Sequence, residues 1–251
     1  RKFITIELAI AFTCCIAATS SAQTKIEYTR HEAMIPMRDG IKLYTVYYTP
    51  NITEPVPILI QRTPYGSEDM QSPDKSMYVK DMATEGYIFV TQDIRGRYKS
   101  EGGFVMNRPI LDKPGAVDES TDTYDAVEWM IHNIPNNNGN VGQLGISYPG
   151  WTTLVAAARP HPAMKAASEQ ATMSDLFLGD DFHHNGAFRL SYAYDYSFME
   201  EISNVDTLFP FDHYDLYNWF LKLGPLSNAN DKYFHNKLPS WNNFMQHANY
   251  D

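Results

Sequence analysis

The chain reads as an α/β protein: a mostly parallel sheet with helices on its faces, followed by a helical cap. Three features lead there. Short apolar runs alternate with helical patterns, the arrangement that builds parallel sheets. The stretch Val141 to Trp151, VGQLGISYPGW, fits a strand, a sharp turn around Ser147 and a helix start into very little chain. Beyond about residue 170, β-branched runs give way to a segment rich in Tyr, Phe, Trp, His and Asn.

Taken in order, the first element is a leader. Arg1-Lys2 is a basic start, Phe3 to Ala18 is mostly apolar, and Ser20-x-Ala22 is a small-residue cleavage site. Residues 1–22 are thus expected to be a signal peptide, which places the mature protein in the periplasm or outside the cell. The run is too short for a membrane span and is broken by Glu7. Cys14 and Cys15 both lie in it, so the mature chain is expected to have no disulfide and no thiol chemistry. Removing the leader leaves 18 basic against 29 acidic residues, a net charge of −11. That balance disfavours nucleic acid and anionic lipid, and favours neutral or cationic small substrates. No stable membrane insertion is expected after cleavage; a homo-oligomer stays open.

Residues 23–169 carry the α/β pattern. Arg38-Asp39-Gly40, between Ile35-Pro36-Met37 and the run from Ile41 to Tyr48, is a hairpin signal. Val56 to Gln61 is a short apolar strand entering the turn-rich Arg62-Thr63-Pro64-Tyr65-Gly66, which puts Tyr65 at a carboxyl end of the sheet, where open α/β folds place their sites. Lys80 to Glu85 reads as a helix and Tyr87 to Asp93 as a strand. The arginines that follow, Arg95 and Arg97, suit either a substrate carboxylate or a structural clamp on loop carbonyls and acids. Asp118 to Ile134 has Tyr124, Val127, Ile131 and Ile134 at helical spacing, with Asp118 and Glu119 at its positive end. Ala166-Ala167-Ser168 ends a further strand. Residues 170–251 are expected to form a cap over the sheet, a place that shapes substrate pockets.

The chemistry centres on Ser147. Gly145-x-Ser147 matches the first half of the nucleophile elbow G-x-S-x-G, with the second glycine, Gly150, one position late. An elbow serine takes a strained backbone, so its neighbours must lack bulk. The alternative is a glycine-rich turn with an inert serine. With strands and helices alternating around it, the elbow makes the fold an α/β-hydrolase. Asp180-Asp181-x-His183-His184 contains metal-ligand types, but on a helix adjacent residues point about 100° apart and cannot all converge. No metal and no cofactor are expected. His161, in the loop leaving the elbow helix, reads as structural.

Five stretches, in order along the chain, strengthen this reading: Met37-Arg38-Asp39-Gly40-Ile41-Lys42-Leu43, Arg62-Thr63-Pro64-Tyr65, Gln92-Asp93-Ile94-Arg95-Gly96-Arg97, Gly145-Ile146-Ser147-Tyr148-Pro149-Gly150, and Gly179 to Phe188. Together they resemble the acyl esterases related to cocaine esterase, the X-Pro dipeptidyl peptidases and, most closely, the α-amino acid ester hydrolases that act on β-lactam antibiotics. The late glycine fits, since that family uses G-x-S-Y-x-G. The resemblance implies that Ser147 is the nucleophile. It also implies that the Tyr148 backbone N–H and the Tyr65 phenol are oxyanion donors, and that Asp181 helps bind a substrate α-ammonium group. Asp181 also suits an ion pair or helix cap. Pro149 departs from the acidic residue that amino ester hydrolases place there.

A serine needs a histidine to take its proton and an acid to orient that histidine. In this fold both follow the nucleophile on later strands, and none of His161, His183, His184, His213, His235 and His247 follows a late core strand. The triad acid and histidine, and the family's C-terminal β-sandwich, are expected beyond Asp251, so that the chain alone lacks a general base. The expected function is an exported serine hydrolase of esters or amides; α-amino acyl esters, X-Pro dipeptides and general acyl esters are the candidate substrates. A non-catalytic exported binding protein is the competing reading.

Overall fold

A computed structural model describes residues 26–173, 175–179, 181–247 and 249. The expected leader, with both cysteines, and Asp180 lie outside the described residues. β1 (Tyr28–Pro36) and β2 (Lys42–Pro50) form the hairpin signalled by Asp39-Gly40, with Ile35 opposite Leu43 and Gly40 at φ +89° closing the turn. β3 (Val56–Thr63), β4 (Ile88–Asp93), α1 (Glu119–Asn133), β5 (Asn137–Ile146), α2 (Tyr148–Ala158) and β6 (Met164–Gln170) follow. The sheet order is β1-β2-β4-β3-β5-β6. The run β4-β3-β5-β6 is parallel, and β1 and β2 join it as antiparallel strands.

Side chains alternate across a strand, so each core strand supplies two layers. On one face Ile58, Ile60, Ile88, Val90 and Val141 pack against Ala126, Val127, Met130 and Ile134, in and just after α1. On the other, Phe89, Leu59 and Leu144 meet Val79, Met82 and Ala83. Burying each large aliphatic side chain of this kind contributes about 1.5–3 kcal/mol, so register is strongly specified.

Two expected elements differ in detail. The buried face of α1 runs through Ala126, Val127 and Met130, while Tyr124 is exposed and lies against His161 with ring centroids 4.5 Å apart. The smaller Ala126 lets the helix approach the sheet, and Tyr124 is turned outward under the Arg38 guanidinium. Lys80 to Glu85 does not form a full helix; only Met82–Glu85 winds, as a 3₁₀ turn that Gly86 ends at φ +80°. Asp118 caps α1, its carboxylate accepting from the Ser120 and Thr121 N–H groups at 3.0 Å each, which is worth about 1 kcal/mol.

Beyond β6 the chain is not purely helical. β7 (His183–His184) and β8 (Ala187–Phe188) form a small hairpin around Asn185 and Gly186, at φ +49° and +83°. Asn-Gly is the preferred pair for this turn because both positions need positive φ. Thus His183 and His184 are strand residues, not neighbours on a helix. His183 is buried with its ring against Phe177 and Phe188, and His184 is exposed. The segment continues through α3 (Leu190–Glu201), α4 (Leu216–Leu223), α5 (Ser227–Ala229) with a π-turn over Asn230–Phe234, and α6 (Pro239–Gln246). It has its own aromatic centre, in which Tyr194 touches Trp219, Phe234 and Trp241. A second cluster joins it to the elbow: Phe182 and Ala193 pack with Tyr148, Trp151 and Val155. Among the described residues no helix is long and apolar enough to cross a membrane.

Candidate active site

β3 and β5 are adjacent parallel strands, so their carboxyl ends emerge side by side, about 4.8 Å apart. Tyr65 follows the first and Ser147 the second. This topology brings together two residues that are far apart in sequence.

Ser147 sits between β5 and α2 at φ 64° and ψ −123°, a conformation few non-glycine residues adopt. Three contacts hold it there. Its N–H donates to the Gln170 carbonyl at 2.9 Å, and its carbonyl accepts the Trp151 N–H at 2.9 Å. Thr152 Oγ1, one turn into α2, donates to the Arg62 carbonyl on β3 at 3.1 Å. Ser147 makes no side-chain cap bond and is exposed, so its hydroxyl is clear of the helix it opens. The two glycines have steric reasons. A Cβ on Gly145 would lie 2.3 Å from the Pro149 carbonyl group, and one on Gly150 would lie 2.4 Å from the Gln170 oxygen. The second glycine therefore falls where α2 crosses the end of β6, which accounts for its late position.

Tyr148 is fully buried, its hydroxyl accepting the Asn107 N–H at 2.7 Å and its ring edge-on to Tyr65 and Trp151. That anchors the first turn of α2, whose N–H groups carry the helix's positive end. Tyr65 reaches the same spot from the β3 loop. Burial raises its phenol to about 12, opposed by hydrogen bonding from Tyr196 and, less strongly, from the Ser147 hydroxyl. It thus keeps its proton at neutral pH and can donate it. The two hydroxyl oxygens of Tyr65 and Tyr196 are 3.0 Å apart.

Asp181 lies before β7, partly buried. Its charge is the second cause, after burial, that raises the Tyr192 phenol to about 12. Tyr192 stacks on Tyr196 with centroids 5.3 Å apart and planes 11° apart. Asp181 is therefore linked through two stacked rings to the phenol beside Ser147. Sequence reading missed Tyr192, Tyr196 and Glu200, although their i, i+4 spacing on one helix places all three along one face.

Both loop arginines are clamps. Arg95 bridges Asp39 and Asp122, each at 2.6 Å. Arg97 donates to the carbonyls of Pro64, Glu200 and Ser203 and to Asp206, tying the Tyr65 loop to the end of α3. Glu200 is buried beside it. Burial pushes its carboxyl up to about 8 despite Arg97, whose Nη2 is 3.3 Å away. His161 is held by Glu128 at 2.7 Å and accepts the Ala163 N–H, at the far end of α2 from Ser147. Among the described residues no hydrogen bond joins a histidine to Ser147.

A trough of about 830 Å³ touches Ser147 and Tyr65 at one end. It runs mainly along the sheet face of Leu59, Phe89, Leu144 and Ala167. Tyr65, at the Ser147 end, also contacts Tyr148 and, through its hydroxyl, Tyr196 on α3.

Comparison with known proteins agrees with this architecture. A cocaine esterase from Rhodococcus sp. (strain MB1 Bresler) is 35% identical over 159 residues, 61% of this chain and 25% of the relative. The crystal structure of an aminopeptidase from the marine sediment archaeon Thaumarchaeota archaeon superposes with a TM-score of 0.83 at 35% identity, over all of this chain and 41% of the other. An α-amino acid ester hydrolase gives 0.82 at 35% identity, over 97% of this chain and 42% of the other. The chain thus spans a quarter of the first relative and about two fifths of the others. The fold is that of the α/β-hydrolases. The family model for X-Pro dipeptidyl-peptidases (S15 family) matches residues 39–251, and the chain belongs to that family.

Proposed function

We propose that the complete gene product is an exported serine hydrolase that cleaves an ester or amide through an acyl-enzyme on Ser147. The observation that carries this is the strained elbow serine with a protonated phenol beside its hydroxyl. In the acylation step Ser147 Oγ bonds to the substrate carbonyl carbon and its proton passes to a base. The carbonyl oxygen becomes an oxyanion, held by the Tyr148 N–H and the Tyr65 O–H. Collapse expels the alcohol or amine, which takes the proton, and water then hydrolyses the acyl group. Preorganised donors of this kind each lower the barrier by about 2.7–4 kcal/mol. The base, a histidine, and its orienting acid are assigned to further residues of the gene product, in keeping with the fraction of its relatives that the chain spans.

The finer reading is an α-amino acyl group, including those of β-lactam antibiotics. Supporting it are the carboxylate of Asp181 near the α3 tyrosines and the likeness to an α-amino acid ester hydrolase. Kinetics on phenylglycine methyl ester, an acyl-Pro amide and a simple aryl ester test it. A kcat/KM for the phenylglycine ester at least tenfold above the aryl ester is expected. Equal values would remove amino-group recognition, and a preference for the acyl-Pro amide would make the protein a dipeptidyl peptidase.

A further inference from the structure

Tyr196 stands on α3, outside the groups that the acyl-transfer scheme uses, yet its hydroxyl oxygen is 3.0 Å from that of Tyr65. Two phenols at that distance share one proton: one donates, the other accepts. The direction matters. If Tyr65 donated to Tyr196, its proton would point away from Ser147 and no oxyanion could use it. If Tyr196 donates, the Tyr65 oxygen is satisfied as an acceptor and its own proton is left for the substrate.

The surroundings favour the second arrangement. Tyr196 is gripped between Tyr192, stacked at 5.3 Å, and Phe182, tilted at 5.9 Å, so its hydroxyl oxygen is held in place beside Tyr65. Burial, with Tyr65 and Glu200 beside it, pushes its phenol far above the ordinary range, so it holds its proton throughout the working pH range. Tyr65, by contrast, also has the Ser147 hydroxyl near its phenol, and both residues line the same trough. A negative charge forming there draws the Tyr65 proton toward it and makes the Tyr65 oxygen a better acceptor. Hydrogen bonds in such a chain strengthen one another.

We infer that Tyr196 is a positioning residue for acyl transfer: its O–H donates to the Tyr65 phenol oxygen, aims the Tyr65 O–H at the oxyanion on Ser147 and strengthens that bond as charge develops. The inference rests on the proposed oxyanion role of Tyr65. It predicts that Tyr196 acts on the transition state, leaves substrate binding alone, and works only through Tyr65.

The test is a double-mutant cycle in the complete gene product with Tyr65→Phe and Tyr196→Phe, which keep both rings. Cooperative strengthening is about 10–30% of a donor worth a hundredfold or more, so Tyr196→Phe is expected to lower kcat roughly two- to eightfold with KM unchanged. Affinity for a boronic acid, which bonds to the serine and places an oxygen in the oxyanion site, should fall by the same factor. Tyr65→Phe should cost about a hundredfold, and the double variant should be as slow as Tyr65→Phe alone, with the factor measured for Tyr196→Phe absent. An unchanged kcat in Tyr196→Phe, a change in KM alone, or losses that multiply in full in the double variant would each overturn the inference. An unchanged kcat in Tyr65→Phe would remove the oxyanion assignment itself, a result distinct from a slow Tyr65→Phe beside a silent Tyr196→Phe.

Discussion

The Pro64 carbonyl accepts a hydrogen bond from Nε of Arg97 at 3.0 Å, and this bond fixes the residue before Tyr65 to the loop after β4. The same guanidinium holds the carbonyls of Glu200 and Ser203 at 2.6 and 3.0 Å and Asp206 at 2.5 Å. One planar fork therefore sets the distance between Tyr65 and the end of the helix that carries Tyr196.

Arg97→Lys keeps the charge and loses the fork, so it cannot meet these acceptors together. A loss of about 3–5 kcal/mol is expected for Arg97→Ala, because the carbonyls of Pro64, Glu200 and Ser203 and the Asp206 carboxylate all lose their shared buried donor. Urea unfolding measures it. Arg97→Lys should lie between the two and lower kcat more than KM, since it loosens Tyr65; stability within about 0.5 kcal/mol of wild type in both variants would contradict the clamp.

Glu200 gives a pH dependence with a definite sign. Its carboxyl titrates near 4.5 in the unfolded chain and at about 8 when folded. The folded state binds the extra proton, so this group's contribution is fully present below about pH 4.5 and is lost as pH rises through 8. The size is on the order of a few kcal/mol. Glu200→Gln removes the titration. Denaturation at pH 5 and pH 8 should show wild type losing more stability across that interval than the variant; parallel losses would place the proton elsewhere.

The elbow glycines should tolerate an added methyl poorly, because it would meet backbone. Gly145→Ala and Gly150→Ala each drive a Cβ to within 2.4 Å of backbone atoms. Gly139, at φ +76° with nothing within 4 Å, is the control. Its alanine variant should cost only about 1 kcal/mol of backbone strain. Thermal melting should show the two elbow variants well below the control, and melting points equal to it would mean that α2 is not seated on β6 as described.

Much of this was legible in the residues. The hairpin at Asp39-Gly40, the core strands and the elbow follow from local patterns: alternation, turn chemistry and small residues flanking a serine. Tyr65 was legible as well, because a strand that enters a polar turn must end at the carboxyl edge. What stayed hidden depends on contacts between distant segments. Arg97 could be read as a clamp or a substrate binder, and only the fold brings Pro64, Ser203 and Asp206 around it. On α1 the spacing of Val127, Ile131 and Ile134 marks the core face, but Tyr124 at the same spacing is exposed and the smaller Ala126 is buried in its stead. The hairpin around Asn185-Gly186 was written in its turn residues, but the surrounding aromatic sequence suggested helix.

The central claim is that Ser147 is a nucleophile beside two oxyanion donors. Its most direct test is peptide mapping by mass spectrometry after the complete gene product is incubated with a fluorophosphonate. The expected result is one phosphonyl adduct, on Ser147, that disappears in Ser147→Ala and forms at least tenfold more slowly in Tyr65→Phe. No adduct, or an adduct on another residue that persists in Ser147→Ala, would contradict it.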